Sequence, residues 1–398
     1  MNNKESLTDV VSNLIGNLSE SRVFDVNQRI EGCVSRWLFG LNKPIARRVE
    51  SLFILVPYSD KLADITGKTR KGIKGLGQAQ ILFRGPTGIG KTDLEQSIAL
   101  SIDAKASRIQ GTPEMMPRHI IGGSRFVENL RGERRVIFEP GPLLSHLVLI
   151  DEANRIRQNT FSSVIEAMEE RSLTPPNEYI DEADRSVRTL PFFPISGNYT
   201  DLESPRFFQV ALTENPFGDE EGNYPNPQAL LDRITLSIRI DRPSFDDEKK
   251  IRAKNVVGKT IEPVTNLIEI LACGQYIYDK VKLSSKADDY LTLLIRNTNP
   301  PDSSKSDETV AGSSELIKFV EEHVRFGASP RVNFALEAVA RVRAFFSGSN
   351  IIKPEHIKEV ASEVISHRLR LMPGVEFSTS KESVFQKILE LTEIPKWQ

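Results

Sequence analysis

The sequence predicts an α/β fold: a parallel sheet of five strands between helices, followed by an all-helical lid domain. Three observations predict it. Between residues 80 and 240, short apolar runs alternate with segments of helical period, the pattern of strands joined by crossover helices. The first run, "ILFR" (81–84), passes through a glycine-rich turn into a helical pattern. Beyond Pro243 the texture is helical only.

Taken in order, residues 1–35 read as a helical extension, with Val10, Val11, Leu14, Ile15 and Leu18 at helical spacing. In "WLFGLNKPIARRVESLFILV" a glycine precedes a second helix that carries Ile45, Val49, Leu52 and Phe53 on one face. The strand candidates are "ILFR", "SRIQ", "LVLI", "FFQVALT" and "ITLSIRI", which places an αβα core at 36–242. Helices follow in "DDEKKIRAKNVV", "VTNLIEILACGQYIYDKV", "KADDYLTLLIRNT", "ELIKFVEEHV", "RVNFALEAVARVRAFF" and "KPEHIKEVASEVISHRLRL", giving a lid at 243–398. The Pro/Ser/Asp-rich stretch 299–314 reads as a loop within it.

Composition narrows the function. Among 398 residues, 52 Lys and Arg balance 54 Asp and Glu, a net charge of −2. That argues against a chain held to nucleic acid by bulk charge. Cys33 and Cys273 are too few for a disulfide framework or a zinc site, so a reducing, cytoplasmic setting is expected. The amino-terminal stretch lacks the pattern of a signal peptide, and no apolar run reaches membrane-spanning length. His119 and His367 have no second ligand at metal spacing and read as structural.

The chemistry starts at Gly85-Pro86-Thr87-Gly88-Ile89-Gly90-Lys91-Thr92, which fits the phosphate-loop pattern G-x-x-x-x-G-K-[ST]. Glycines let the backbone approach an anion, and the helix that follows adds partial positive charge. Lys91 is placed to reach the β and γ phosphates of ATP. Thr92 is placed to join the coordination of Mg²⁺, and Asp93 closes the nucleotide-contacting stretch. The second half of the site is "LVLIDEANR". Asp151 and Glu152 emerge at the carboxyl end of a buried strand, where open α/β sheets bind ligands. Asp151 is expected to hold Mg²⁺, and Glu152 to activate the attacking water.

From about Phe39 to Leu371 the chain resembles the MoxR branch of the AAA+ ATPases, on the order of its motifs: the phosphate loop, "RIQGTPEMMPRHIIGG", "FEPGPLLSHLVLIDEANR", "NTFSSVIEAMEERSLT", "TENPFGDEEGNYPNPQALLDRI", "RPSFDDEKKI", "GASPRV" and "SHRLRL". "GNYPNPQALLDR" and "GASPR" are specific to this branch and to relatives such as the magnesium-chelatase ATPase subunit. The resemblance implies a hexameric ring with ATP between subunits, a protein client, and a partner carrying a von Willebrand A domain. It implies that Asn215 is sensor 1, with Asn198 of "FFPISGN" the competing candidate. Arg233 matches the arginine finger that acts on a neighbour's ATP, and Arg331 matches sensor 2. Residues Gly122 to Phe138 match the helix-2 insert hairpin, and Gly40 and Leu41 match the segment that lines the adenine. The extension before the core, the long segment 175–206 and the loop 299–314 depart from the family pattern.

The expected activity is Mg²⁺-dependent ATP hydrolysis coupled to remodelling of a protein client. The alternative is a nucleotide-gated interaction protein without forced remodelling. A DNA-translocating ATPase is disfavoured by the near-neutral charge and the lack of a DNA-binding motif.

Overall fold

The computed structural model describes residues 14–57, 76–128, 134–170, 172–173, 178–180, 187–189, 193–194, 207–214, 226–253, 261–301 and 313–395. Its centre is a sheet of five parallel strands: β1 (Ile81–Arg84), β2 (Ala106–Gln110), β3 (Leu147–Asp151), β4 (Gln209–Glu214) and β5 (Leu236–Arg239). Each lies within or directly beside one of the five expected runs. The order across the sheet is β5-β1-β4-β3-β2. Side chains alternate between two apolar clusters. Ile81, Phe83, Leu147 and Leu149 point to one face, and Leu82, Val148 and Ile150 to the other. A sheet covered on both faces needs apolar runs, as in β1, β3 and β4; the outer strands depart from this, β2 burying only Ile109 and β5 reading Leu-Ser-Ile-Arg. The order has one functional consequence. The carboxyl ends of β1 and β3, which lead into the phosphate loop and Asp151, flank that of β4.

Helices α1 (Glu20–Ser35), α2 (Asn42–Glu50) and α3 (Lys91–Ser101) cover the first face, and α4 (Gln158–Glu170) the second. Helix α1 is capped by the Ser19 hydroxyl and buries Val23, Val26, Ile30 and Val34 in the same cluster as Ile81 and Phe83. The extension is therefore packed into the core from Glu20 onward; Val10 and Val11 lie outside the described residues.

The lid comprises α5 (Phe245–Ala253), α6 (Leu267–Lys280), α7 (Ser285–Arg296), α8 (Ser314–His323), α9 (Val332–Phe346), α10 (Pro354–Ile365) and α11 (Lys381–Leu391). Helix α11 was not among the helices read from the sequence; it starts at a Ser380 cap and buries Val384, Phe385, Ile388 and Leu389. Two short strand pairs also join the lid helices, Lys282–Leu283 with Ile351–Ile352 and Val324–Phe326 with Arg370–Leu371. Ile270, Leu336 and Val360 of the lid share one apolar cluster with α1, α2 and the sheet.

The expected insert is an antiparallel hairpin, Gly122–Glu128 against Arg134–Pro140, whose tip lies outside the described residues. Its base is backbone against backbone. A Cβ on Gly122 would stand 2.1 Å from the Glu139 carbonyl, and one on Gly141 would stand 2.4 Å from the Gly122 nitrogen. Within 175–206, Glu178–Ile180 pairs with Val187–Thr189, and Phe193–Pro194 pairs with Ser172–Leu173. Most of the loop 299–314 lies outside the described residues.

Candidate nucleotide site

The glycines of the phosphate loop are required by its geometry. Gly88 and Gly90 have φ of 74° and 84°, the left-handed region that favours glycine. A Cβ on Gly85 would stand 2.1 Å from the Ile240 carbonyl, so the loop leaves β1 against the end of β5 with no room for a side chain. Helix α3 begins at Lys91, so its amino end and partial positive charge lie at the loop. The Lys91 ammonium donates to the carbonyls of Gly85 and Pro86, each at 2.7 Å. Burial pulls its pKa below that of an ordinary lysine, against the opposing pull of Asp151 and Glu152. A charge held there on two carbonyls is poised to exchange them for phosphate oxygens. Thr87 and Gly88 are exposed at the tip, Pro86 and Ile89 are half-buried, and Asp93 is exposed in the first turn of α3.

Asp151 draws the two motifs together. Its Oδ2 accepts from the Thr92 hydroxyl at 3.0 Å and from Arg108 Nη2 at 2.6 Å, and its Oδ1 accepts from the Thr213 hydroxyl at 2.6 Å. Burial alone would raise the carboxyl's pKa. Hydrogen bonds from Thr213, Arg108 and Thr92 outweigh it and hold the group ionised below the usual carboxylate range. A hydroxyl and an ionised carboxylate side by side are the hard oxygen donors that Mg²⁺ takes, with water filling its other positions. The residues present therefore fit the ion.

Glu152 follows in the left-handed conformation, φ 51° and ψ 49°, unusual for a residue with a side chain. Its N–H donates to the Thr213 hydroxyl at 2.9 Å, and Arg155 Nε lies 3.1 Å from its carboxylate. On the other side the Gly111 N–H donates to the Asp151 carbonyl at 2.8 Å. A Cβ on Gly111 would meet the Glu152 carbonyl at 2.3 Å, so the turn at 151–152 fits only against a glycine.

On the side expected to hold the base, Leu41 Cδ1 lies 3.7 Å from where a Gly90 Cβ would be. Gly40, at φ 74°, faces Pro243 and Asp247. A groove of about 390 Å³ opens between Thr87, Gly88 and Ile89 of the loop and Arg242, Pro243 and Ile251 at the start of the lid. Helix α2, which follows Leu41, is tied to α3 by a buried two-point ion pair. Arg48 Nη2 donates to Glu95 Oε2 at 2.9 Å, and Nε donates to Oε1. The segment beside the base and the phosphate helix are thus one rigid unit.

The structure places the two arginines singled out by sequence together, on one carboxylate. Arg233 pairs with Glu169 at the end of α4 and donates to the Ala229 carbonyl at 2.7 Å. Arg331, at the amino end of α9, lies 3.1 Å from the same carboxylate. Arg331 and Arg233 thus share Glu169. Asn215 and Asn198 both lie outside the described residues.

Sequence reading missed Arg108, Thr213 and Glu169. The first two sit near the carboxyl ends of strands that flank or neighbour β3, so finding them required the strand order. Glu169 gave no signal beyond being one of several acids on a helix.

Residues 80–186 match the family described as ATPase family associated with various cellular activities (AAA), and 318–388 match the AAA lid domain. Chaperone MoxR1 of Mycobacterium tuberculosis is 27% identical over 81% of this chain and 76% of the relative. Protein MoxR of Paracoccus denitrificans is 26% identical over 76% of this chain and 83% of the relative. The chain thus carries an AAA match followed by an AAA lid match and is similar to the MoxR proteins. The uncharacterised protein YeaC of Bacillus subtilis is 29% identical over 80% of this chain and 87% of the relative. A crystal structure from Cytophaga hutchinsonii shares the fold, with a TM-score of 0.68 and 24% identity, covering 95% of this chain and 98% of that one. The lid match ends in α11, the helix absent from the sequence reading.

Proposed function

We propose that this MoxR-type protein binds Mg-ATP in the loop Gly85–Asp93, beside Gly40 and Leu41, hydrolyses it at the interface between identical subunits, and uses the cycle to remodel a protein client. The observation that carries the reading is the meeting of the two motifs at Asp151, 3.0 Å from the Thr92 hydroxyl. Thr92 and Asp151 would hold Mg²⁺, which neutralises charge on the phosphates and orients them. Lys91 leaves its two carbonyls for the β and γ oxygens. Glu152, set apart from Asp151 by its left-handed backbone, accepts the proton of the attacking water. Catalysis of this kind is positioning plus charge neutralisation.

Asn215 directly follows β4, whose end lies between β1 and β3. That supports it over Asn198 as the residue that orients the water. Arg233 is read as the finger for the neighbour's ATP and Arg331 as sensor 2; that both side chains already lie on one anion, Glu169, supports reading them as anion-binding groups. We assign 36–242 as the nucleotide core, 243–398 as the lid and 1–35 as a helical extension. The ring is read as a hexamer in the cytoplasm, with a von Willebrand A-domain protein as a partner. Chaperone in a relative's name supports the client, and none of the described helices is long and apolar enough to cross a membrane.

Glu152→Gln tests the assignment. The amide is nearly isosteric but cannot take the proton, so ATP stays bound and turnover stops. Turnover equal to that of the unaltered protein would overturn the assigned base. Client remodelling that proceeds equally with a non-hydrolysable analogue would favour the nucleotide-gated alternative.

A further inference from the structure

We propose that Arg368 of the lid is a positioning residue for Arg233, so that the lid of each subunit sets the arginine that the neighbour's ATP meets. The inference deepens the reading of Arg233 given above and rests on it.

Arg368 is 1% exposed, in the short turn Ser366–Arg368 after α10. Its guanidinium donates to the carbonyls of Val364, Ile234 and, at 3.4 Å, Asp232. Asp232 and Ile234 are the two neighbours of Arg233 in the chain. The lid therefore holds the carbonyls of the residues on either side of the proposed finger. Among the described residues no carboxylate forms an ion pair with Arg368, and burial pulls its pKa down to about 10. A charge taken out of water without a paired anion is costly, and an apolar residue would fill the same space more cheaply. What the guanidinium adds is a fork that reaches several carbonyls in fixed directions, which lysine cannot copy.

A second tie runs beside the first. Gln228, at the start of the short helix Gln228–Leu231 that leads to Arg233, donates to the Arg368 carbonyl at 3.0 Å and accepts from Arg370 Nε at 2.9 Å. The same part of the lid also reaches the subunit's own site. Glu382 of α11 pairs with Arg84, the last residue before the phosphate loop, and Arg84 lies 3.5 Å from Glu214 at the end of β4. One stretch of lid thus touches the lead into the subunit's own phosphates and the backbone of the arginine it presents outward.

The test uses the full chain with Arg368→Lys, Arg368→Gln and Arg233→Ala in parallel. Each is first checked for unfolding temperature, oligomeric size and affinity for a fluorescent ATP analogue. In Arg368→Lys, analogue affinity should stay within about twofold and turnover should fall between about tenfold and about a hundredfold, the range a ~1 Å misplacement costs. Mixing with Lys91→Ala subunits, which keep Arg368 and Arg233, should restore part of that turnover, as it should for Arg233→Ala. Combining Arg368→Lys with Arg233→Ala should be no slower than Arg233→Ala alone. A mere packing role would lower stability and analogue affinity together, with no recovery on mixing, and would overturn the proposal. Should Arg368→Lys fail to fold, Gln228→Ala, which removes the second tie and leaves the guanidinium, must reproduce the same split and the same recovery, and its failure to do so also overturns the proposal. Normal turnover in Arg233→Ala would instead remove the finger reading itself. Loss in Arg233→Ala with normal turnover in both Arg368 variants would remove only the present inference.

Discussion

At the phosphate loop, the anion-binding groups come from one turn and the strand ends on either side of it. At Arg233 the cluster is drawn from the end of α4, which supplies the carboxylate Glu169, a short core helix, the start of α9 and the turn after α10. The first region is nearly complete within one subunit: Lys91, Thr92 and Asp151 already touch one another or the loop. The second holds two cations on a carboxylate of the same subunit. The difference is one of range. Local steric constraints shape the first region, while long-range contacts between core and lid shape the second, where the proposed finger stands.

The largest effect should come from the local region. Lys91→Ala removes the charge that meets the phosphates, so calorimetry should show no saturable ATP binding and turnover should vanish. Normal binding would show that the loop is not the phosphate site. Next comes Arg233→Ala, with near-normal ATP affinity and turnover lower by on the order of a thousandfold. Turnover should rise in mixtures with Lys91→Ala subunits, which lack ATP but keep the arginine. Activity that never exceeds the two separate variants, despite confirmed subunit exchange, would place Arg233 in cis.

A smaller effect is expected at Glu169. If its carboxylate only holds the two arginines until phosphate replaces it, Glu169→Gln should change turnover by no more than about threefold, in keeping with a partly exposed ion pair. A loss as deep as that of Arg233→Ala would make Glu169 part of the reacting set and blur the contrast between the two regions. The smallest effect concerns pH. Burial lowers the pKa of Lys91, so the free protein sheds that proton at lower pH than an ordinary lysine does. Bound triphosphate favours the charged form. ATP affinity should therefore decline as pH rises through the lowered value, with proton uptake on binding seen by calorimetry in buffers of different ionisation enthalpy. The same shift makes Lys91 a mild burden on folding at neutral pH that lifts as pH rises.

The contrast also explains what could be read from the sequence. Strands β1, β3 and β4 were legible because burial on both faces demands apolar runs, whereas β2, at the sheet edge, buries only Ile109 and β5 reads Leu-Ser-Ile-Arg. The loop was legible because Gly85, Gly88 and Gly90 are each forced by a close carbonyl or a left-handed backbone. Arg108 and Thr213 were not, because only the order β5-β1-β4-β3-β2 puts them beside Asp151. Helix α11 spans only Lys381–Leu391, and its buried residues match a surface that three other lid elements create. That Arg331 would stand beside Glu169, shared with Arg233, was not legible, because it depended on how the lid meets α4.

The glycine contacts around the insert hairpin have a mechanical meaning. Gly111 locks the end of β2 to the turn that carries Glu152, and Gly122 and Gly141 lock the hairpin's base with no side chain between the strands. Each arm is seven residues long. At ~3.3 Å per residue the arm is a lever of about 23 Å, so a tilt of about 5° at its base carries the far end by about 2 Å. Backbone in hard contact does not absorb such a tilt as a flexible side chain would. A tilt at the base would therefore be carried along the arms as a stroke comparable to the width of an atom.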